Sequence, residues 1–354
     1  MIPIFKPYMP QNIEQETMRI LNSGQLAYGK YGVIFEQKLS QYIENDYMLT
    51  TITYNHSLLL VLSLLNLKQG DEVIACPVSC LASNQPFVVR GIKVIWADVD
   101  PYSGMLDLES VRKQITAKTK AIFNNLYCGY AGNLDEVYQL GKEYGVYVVD
   151  DCIEAFGTVY KGKKVGNTGA DITVFSFQSV RLPNTIDGGA IAFKDKELYN
   201  KAYLIRDYGI ERSKFRLSNG EINPGCDISI EGYGATMSEL NSFIGIKQME
   251  NLPLLLKKQK QNALYWKEYF QENRKVDNLE IYEGCEPNYW VYGVLAKEKK
   301  KFIDEMRSKG YYASGVHINN NIYSIFNNNG ELKGVDEFMS KFVALPCGWW
   351  FSNR

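Results

Sequence analysis

The sequence predicts an α/β protein, with a large domain built on a mostly parallel central sheet over residues 1–240 and a long helix carrying a small α+β domain over 241–354. Three observations predict it. From about residue 50 to 195, apolar runs of strand length alternate with helical patterns, the signature of parallel strands covered by helices. A long helical period then occupies "MSELNSFIGIKQMENLPLLLKKQKQNALYWKEYF". Beyond it, "YWVYGVLA", "EKKKFIDEMRSKG" and "YYASGVHI" read as strand, helix and strand.

In order, "SLLLVLSLLNL" (57–67) suits a buried helix closed by "KQGD", and "EVIAC" follows as a strand. "IKVIWADVD" is a strand ending in acids, and "TKAIFNNLY" is another. "NLDEVYQLGKEYG" offers an Asn cap, helically spaced apolar residues and a terminal glycine. "VYVVDDC", "DITVFSF" and "GGAIAF" return as strands, the glycine pair letting the last begin at close quarters. Pro253 predicts a kink or break in the long helix. "NNNIYSIFNNN" (319–329) reads as a surface excursion, and the tryptophans of "PCGWW" as small-domain core.

With 39 Lys plus Arg against 40 Asp plus Glu, the formal charge of −1 gives no electrostatic reason to expect nucleic acid or an anionic membrane as partner. The charges and prolines of "MIPIFKPYMPQNIEQETM" do not suit a secretory signal, and no run approaches the roughly 18 apolar residues of a membrane span. A cytoplasmic location is the expectation. Seven scattered cysteines without a C-x-x-C pair, and only two histidines, predict neither a disulfide framework nor a metal site.

Ligands of open parallel sheets bind at the carboxyl ends of the strands. Asp98, Asn125, Asp150, Asp151 and Ser176 collect there, although each residue type also serves as a solvated strand end or a helix cap.

"VYVVDDCIEAFG", followed by "FSFQSVRLPNTIDGG", resembles the paired motifs of the DegT/StrS family of nucleotide-sugar aminotransferases. "GKYGVIFEQKLSQYI", "GDEVIACPVSCLASNQPF", "KVIWADVDPYSGMLD", "LDEVYQLGKEYGVYVVDD", "RDYGIER", "GYGATMSELNSFIGIKQMENL", "VHI" and "LPCGWW" fit the same template in the same order. The resemblance implies the aspartate-aminotransferase-like fold (fold type I), dependence on pyridoxal phosphate (PLP), a homodimer, a nucleotide-sugar substrate and a role in surface polysaccharide or lipopolysaccharide biosynthesis. It puts Asp151 against the cofactor's pyridine nitrogen, which needs a carboxylate to stay protonated. It puts Ser57 and Ser176 at the phosphate, Gln178 and Cys80 beside the cofactor, and Tyr28, Tyr31, Asn125 and His317 toward the sugar. Simple packing is the other reading of the two tyrosines, and a structural hydrogen bond that of His317.

The family's Schiff-base lysine falls on Arg181 in this resemblance. A guanidinium stays protonated and is not a carbonyl nucleophile, so Arg181 can neither form the aldimine nor serve as its base. No lysine lies between Lys164 and Lys194 to replace it. Further departures are His56-Ser57 in place of Gly-Thr, Glu154 where the family has Gln or His, and Gly234 and Thr236 in place of larger polar side chains. Glu154 is placed to pair with Arg181 and close the pocket with its own charges. Besides an ordinary aminotransferase in which Arg181 is an engineered or unusual variant residue, which the number of other departures makes least attractive, two readings remain open. In one, PLP or pyridoxamine phosphate (PMP) is held without a covalent bond, as in the family's sugar 3-dehydratases, and Glu154, His56 or Tyr127 supplies the base. In the other, no cofactor is present, the sugar-nucleotide cleft serves another reaction or binding alone, and Arg181 anchors a ligand anion.

Overall fold

The computed structural model describes residues 1–273, 275–326 and 330–351. Thirteen strands form three sheets among the described residues. They are β1 (Met48–Thr51), β2 (Glu72–Ala75), β3 (Lys93–Trp96), β4 (Thr119–Asn125), β5 (Tyr147–Cys152), β6 (Val159–Tyr160), β7 (Lys163–Lys164), β8 (Ile172–Ser176), β9 (Gly189–Phe193), β10 (Asp277–Asn278), β11 (Cys285–Glu286), β12 (Tyr292–Leu295) and β13 (Phe342–Leu345). The main sheet has the order β1-β9-β8-β5-β4-β2-β3; only the β1/β9 and β9/β8 pairs are antiparallel. Its strands are buried along nearly their whole length because helices cover both faces, so they read as continuous rather than alternating apolar runs.

The helices are α1 (Glu14–Leu21), α2 (Lys30–Ile43), α3 (Tyr54–Leu64), α4 (Leu81–Val89), α5 (Leu108–Gln114), α6 (Leu134–Tyr144), α7 (Lys196–Arg206), α8 (Arg212–Phe215), α9 (Glu239–Asn273), α10 (Lys299–Ser308) and α11 (Lys333–Lys341). The apolar run of α3 is explained by its place between β8, β9, α4 and α7. Gly189 permits this approach. A Cβ there would stand 2.6 Å from Ser57 Oγ and 3.0 Å from the Tyr54 Cα.

α9 links two hydrophobic clusters. Its first half packs Ile246, Met249, Leu252 and Leu256 with Phe35 and Phe177, and its second half packs Ala263, Trp266 and Phe270 under the small sheet β10-β12-β13. Each Ile, Leu, Met or Phe side chain among them, when fully buried, stabilises the fold by about 1.5–3 kcal/mol.

Several expectations are corrected. α9 runs through Pro253 without a break; the proline is on the exposed side of the helix. Residues 311–318 form no strand, since Val316 takes φ of 61° and only isolated bridges from Tyr311 to Ile2 and from Ser314 to Ala344 survive. β13 pairs with β12 instead. Asn133 precedes α6 without capping it, and its side chain accepts from the Tyr160 hydroxyl at 3.0 Å. The asparagine tract is more than a surface excursion over its described part, because Asn320 is buried and donates to the Ser79 carbonyl at 2.9 Å; residues 327–329 of that reading lie outside the described residues. Trp349 and Trp350 are half-buried and hold the N-terminal segment, Trp350 donating to the Pro3 carbonyl at 2.8 Å.

Candidate active site

The register of β4 against β5 sets Asn124 beside Asp150 and Asn125 beside Asp151. Successive side chains of a strand point to opposite faces, so the two Asn–Asp pairs look in opposite directions. On one face Asp150 accepts from Asn124 at 2.8 Å and from the Tyr138 hydroxyl of α6 at 2.5 Å. On the other, Asn125 donates to Asp151 Oδ2 at 2.8 Å, while the Tyr54 hydroxyl of α3 reaches Asp151 Oδ1 at 2.5 Å. The Ile153 amide adds a third donor to Asp151 at 3.2 Å. Burial raises the Asp151 carboxyl above its ordinary range, against the hydrogen bonds from Ser83, Tyr54, Asn125 and Ile153. Burial likewise pushes Asp150 up to about 6.

Glu154 follows β5 and is the centre of a second group. Its Oε2 accepts from the Cys128 amide at 2.7 Å, and its Oε1 lies 3.1 Å from His317 Nε2 and 3.5 Å from Arg181 Nη2. The side chains of Arg181 and Glu154 are 5% and 1% exposed, so this is a buried ion pair. Burial works to raise the Glu154 carboxyl, but His317, the Arg181 charge and the Cys128 amide together hold it below its usual value. Glu154 is therefore an anion at neutral pH. An imidazole oriented by a buried carboxylate is an arrangement suited to proton transfer.

Arg181 is fixed from a third side. Its guanidinium carbon lies 4.4 Å from the ring centroid of Trp290, whose indole stacks with Phe5 at 4.3 Å. Trp290 Nε1 donates to the Val180 carbonyl at 3.0 Å, and the Arg181 amide to the Gln178 carbonyl at 2.8 Å, which ties the whole turn down. Arg181 Nε and Nη1 are buried and have no hydrogen-bond partner.

The first turn of α3 is closed by its own chain. Thr53 Oγ1 accepts from the His56 amide at 3.2 Å and lies 2.8 Å from His56 Nδ1. The Ser57 amide donates to the Thr53 carbonyl at 3.2 Å, and Ser57 Oγ is 2.5 Å from Thr51 Oγ1. Ser176 is buried at the end of β8, where its hydroxyl accepts from the Gln178 amide at 3.4 Å. Cys80 is half-buried before α4, its thiol raised by burial.

The structure thus gathers Asp151 with Asn125, and Glu154 with Arg181 and His317. Tyr28 and Tyr31 have other partners. The Tyr28 hydroxyl donates to Glu36 at 2.6 Å under the Arg206 guanidinium, and Tyr31 joins Glu16 and Arg19 through its hydroxyl and Glu239 through its amide. Sequence reasoning missed Tyr54 and Trp290. It also missed Asn288, which donates to the Glu154 carbonyl at 2.8 Å and packs so closely that a Cβ on Gly129 would fall 1.9 Å from its Oδ1. Tyr54 stands two residues before His56-Ser57 and was within reach of that departure; Trp290 and Asn288 lie in the distant β11–β12 region and left no spacing signal.

The comparisons with known proteins agree with this architecture. A UDP-4-amino-4,6-dideoxy-N-acetyl-beta-L-altrosamine transaminase of Helicobacter pylori is 27% identical over 97% of this chain and 91% of its own length. The lipopolysaccharide biosynthesis protein RfbH of Salmonella typhimurium is 28% identical over 80% and 72%. Among solved structures, the sugar aminotransferase CalS13 of Micromonospora echinospora superposes with a TM-score of 0.93 at 26% identity, covering 100% of this chain and 96% of that one. The chain has the fold of these sugar aminotransferases, and among its described residues no helix is long and apolar enough to cross a membrane. Residues 7–353 match the model of the DegT/DnrJ/EryC1/StrS aminotransferases, and the chain belongs to that family.

Proposed function

We propose that this protein binds a nucleotide-linked sugar in surface polysaccharide or lipopolysaccharide assembly, as a homodimer, and works without the internal Schiff base of a transaminase. The activities of its relatives support the sugar-nucleotide setting. The observation that carries the rest is the buried pair Arg181–Glu154. Arg181 takes the lysine's place in the motif, and its guanidinium cannot attack an aldehyde at accessible pH.

PLP or PMP would need an amine or free space at that point, a carboxylate for the ring nitrogen and open donors for the phosphate. Arg181 is instead wedged between Glu154 and Trp290. Asp151 already receives Tyr54, Asn125 and Ile153, and the His56 and Ser57 amides are spent on Thr53. These residues do not fit the cofactor, which disfavours the PMP-dependent dehydratase reading as well as the transaminase one.

The test is a titration of the purified protein with PLP and PMP, followed by absorbance, alongside calorimetry with UDP-, GDP- and dTDP-hexoses. Saturable binding of a sugar nucleotide by a protein that stays colourless is the expected result. Amino transfer from glutamate to a 4-keto nucleotide sugar would overturn the proposal.

A further inference from the structure

Between α9 and the β10–β12 part of the small sheet lies a cavity of about 280 Å³, whose lining includes neither Arg181, Glu154 nor Asp151. Its walls carry the rings of Tyr130, Tyr289 and Tyr292. Tyr130 and Tyr289 meet edge to face at 5.8 Å, and Tyr289 and Tyr292 lie 21° from parallel with centroids 6.4 Å apart. The Tyr130 hydroxyl accepts from the Gly293 amide at 3.1 Å, and the Tyr292 hydroxyl donates to Asn278 Oδ1 at 2.7 Å. Rings pinned in this way lose few rotamers when a ligand arrives. Tyr289 itself has a φ of 55°, a left-handed conformation that a residue with a Cβ resists and that collects at ligand clamps. Asn288 and Trp290 on either side of it reach Glu154 and Arg181, whereas Tyr289 lines this cavity.

Size and charge choose the occupant. The volume falls just below the roughly 300–1,000 Å³ of pockets for larger organic ligands, which suits one ring with a short side chain and not a nucleotide sugar. Leu264 and Ile281 also line the cavity and are 58% and 43% exposed, so two large aliphatic side chains stand in water beside the aromatic wall. An aromatic wall alone would equally suit a quaternary ammonium, through cation–π attraction. Charge decides against it. Lys267 of α9 lines the cavity, and among the described residues of the lining there is no carboxylate. Burial raises all three phenols above their ordinary range, so they stay neutral and do not oppose an anion. The Asn278 amide nitrogen, whose oxygen is taken by Tyr292, adds a second donor to the lining.

We propose that this cavity binds a small aromatic acid, its single ring against Tyr289 and Tyr292 and its carboxylate at Lys267 and Asn278. Such a ligand is neither a sugar nucleotide nor a cofactor, so the site stands independently of what the Arg181 cleft binds.

The experiment measures binding of phenylacetate, phenylacetamide and 2-phenylethylamine to the full chain by saturation-transfer NMR and calorimetry. The three probes share a ring and differ in charge. Phenylacetate is expected to bind saturably below about 10 mM, the amide about threefold to tenfold more weakly, and the amine most weakly. K267M changes an exposed side chain, so the fold should hold while phenylacetate falls to the affinity of the amide and the amide is unaffected. Y289G removes a ring at a backbone angle that glycine adopts freely, and should weaken phenylacetate and phenylacetamide alike, by about tenfold or more. No saturable binding of phenylacetate to the wild type, or equal affinities for all three probes, would overturn the inference. So would tightest binding of the amine, as expected of a cation cage, or an unchanged phenylacetate affinity in K267M. Wild-type affinity in folded Y289G would place the probe elsewhere and overturn it too.

Discussion

The Tyr54 hydroxyl donates to Asp151 Oδ1 across 2.5 Å, with both residues buried and Asn125 holding the other carboxylate oxygen. A motif residue that family resemblance assigns to a cofactor is thus satisfied by the chain itself. Y54F removes the donor while keeping the ring, and should cost about 1–3 kcal/mol of stability at neutral pH. Urea denaturation checks this. The loss should shrink on acidification, because a protonated Asp151 no longer needs the hydroxyl proton.

Arg181 and Glu154 should be energetically coupled. Breaking a buried pair from one side leaves the other charge uncompensated, so R181M should destabilise by about 3–5 kcal/mol. The double variant R181M/E154Q should lose less than the sum of the two single changes, since no lone charge remains. A double-mutant cycle in denaturant measures the coupling; strict additivity would mean the 3.5 Å contact carries no energy.

Asp150 predicts a pH dependence. Its carboxyl is raised from 3.8 to about 6 in the folded protein, chiefly by burial. The folded state then binds the proton more tightly than the unfolded chain. The resulting stabilisation is complete below about pH 3.8 and is lost as the pH rises through about 6, an effect on the order of 3 kcal/mol. The difference between the stability curves of wild type and D150N isolates it, and that difference should vary across this window and be flat above it.

Gly189 sets how closely α3 approaches the sheet. G189A would place a methyl 2.6 Å from Ser57 Oγ, 2.9 Å from Thr51 Oγ1 and 3.0 Å from backbone at Tyr54. Backbone cannot step aside as a flexible side chain does, so a loss of about 1–3 kcal/mol is expected. Thermal denaturation reads it directly.

The strands were legible because buried parallel strands are continuous apolar runs, as in "VYVVDDC" and "DITVFSF". Asp151 and Asn125 were legible as polar residues at strand ends, and the Arg181–Glu154 contact as opposite charges that depart from the family pattern in its two paired motifs. Other features depend on long-range packing that spacing does not encode. Trp290 comes from just before β12 and stacks on Arg181, and Asn320 comes from a segment after α10 and bonds to Ser79, both from outside the large-domain motifs. The strand expected at 311–318 failed because local β-propensity there yields to a left-handed Val316, with β13 taking the neighbouring edge of β12.

The most direct test of the central claim is chemical trapping. The native protein is incubated with PLP, reduced with borohydride, digested and searched by peptide mass spectrometry, with visible spectra taken before reduction. A closed Arg181–Glu154 pocket predicts no absorbance band of a bound aldimine and no stoichiometric pyridoxyl-lysine peptide. One lysine modified to one equivalent per chain, together with such a band, would contradict it.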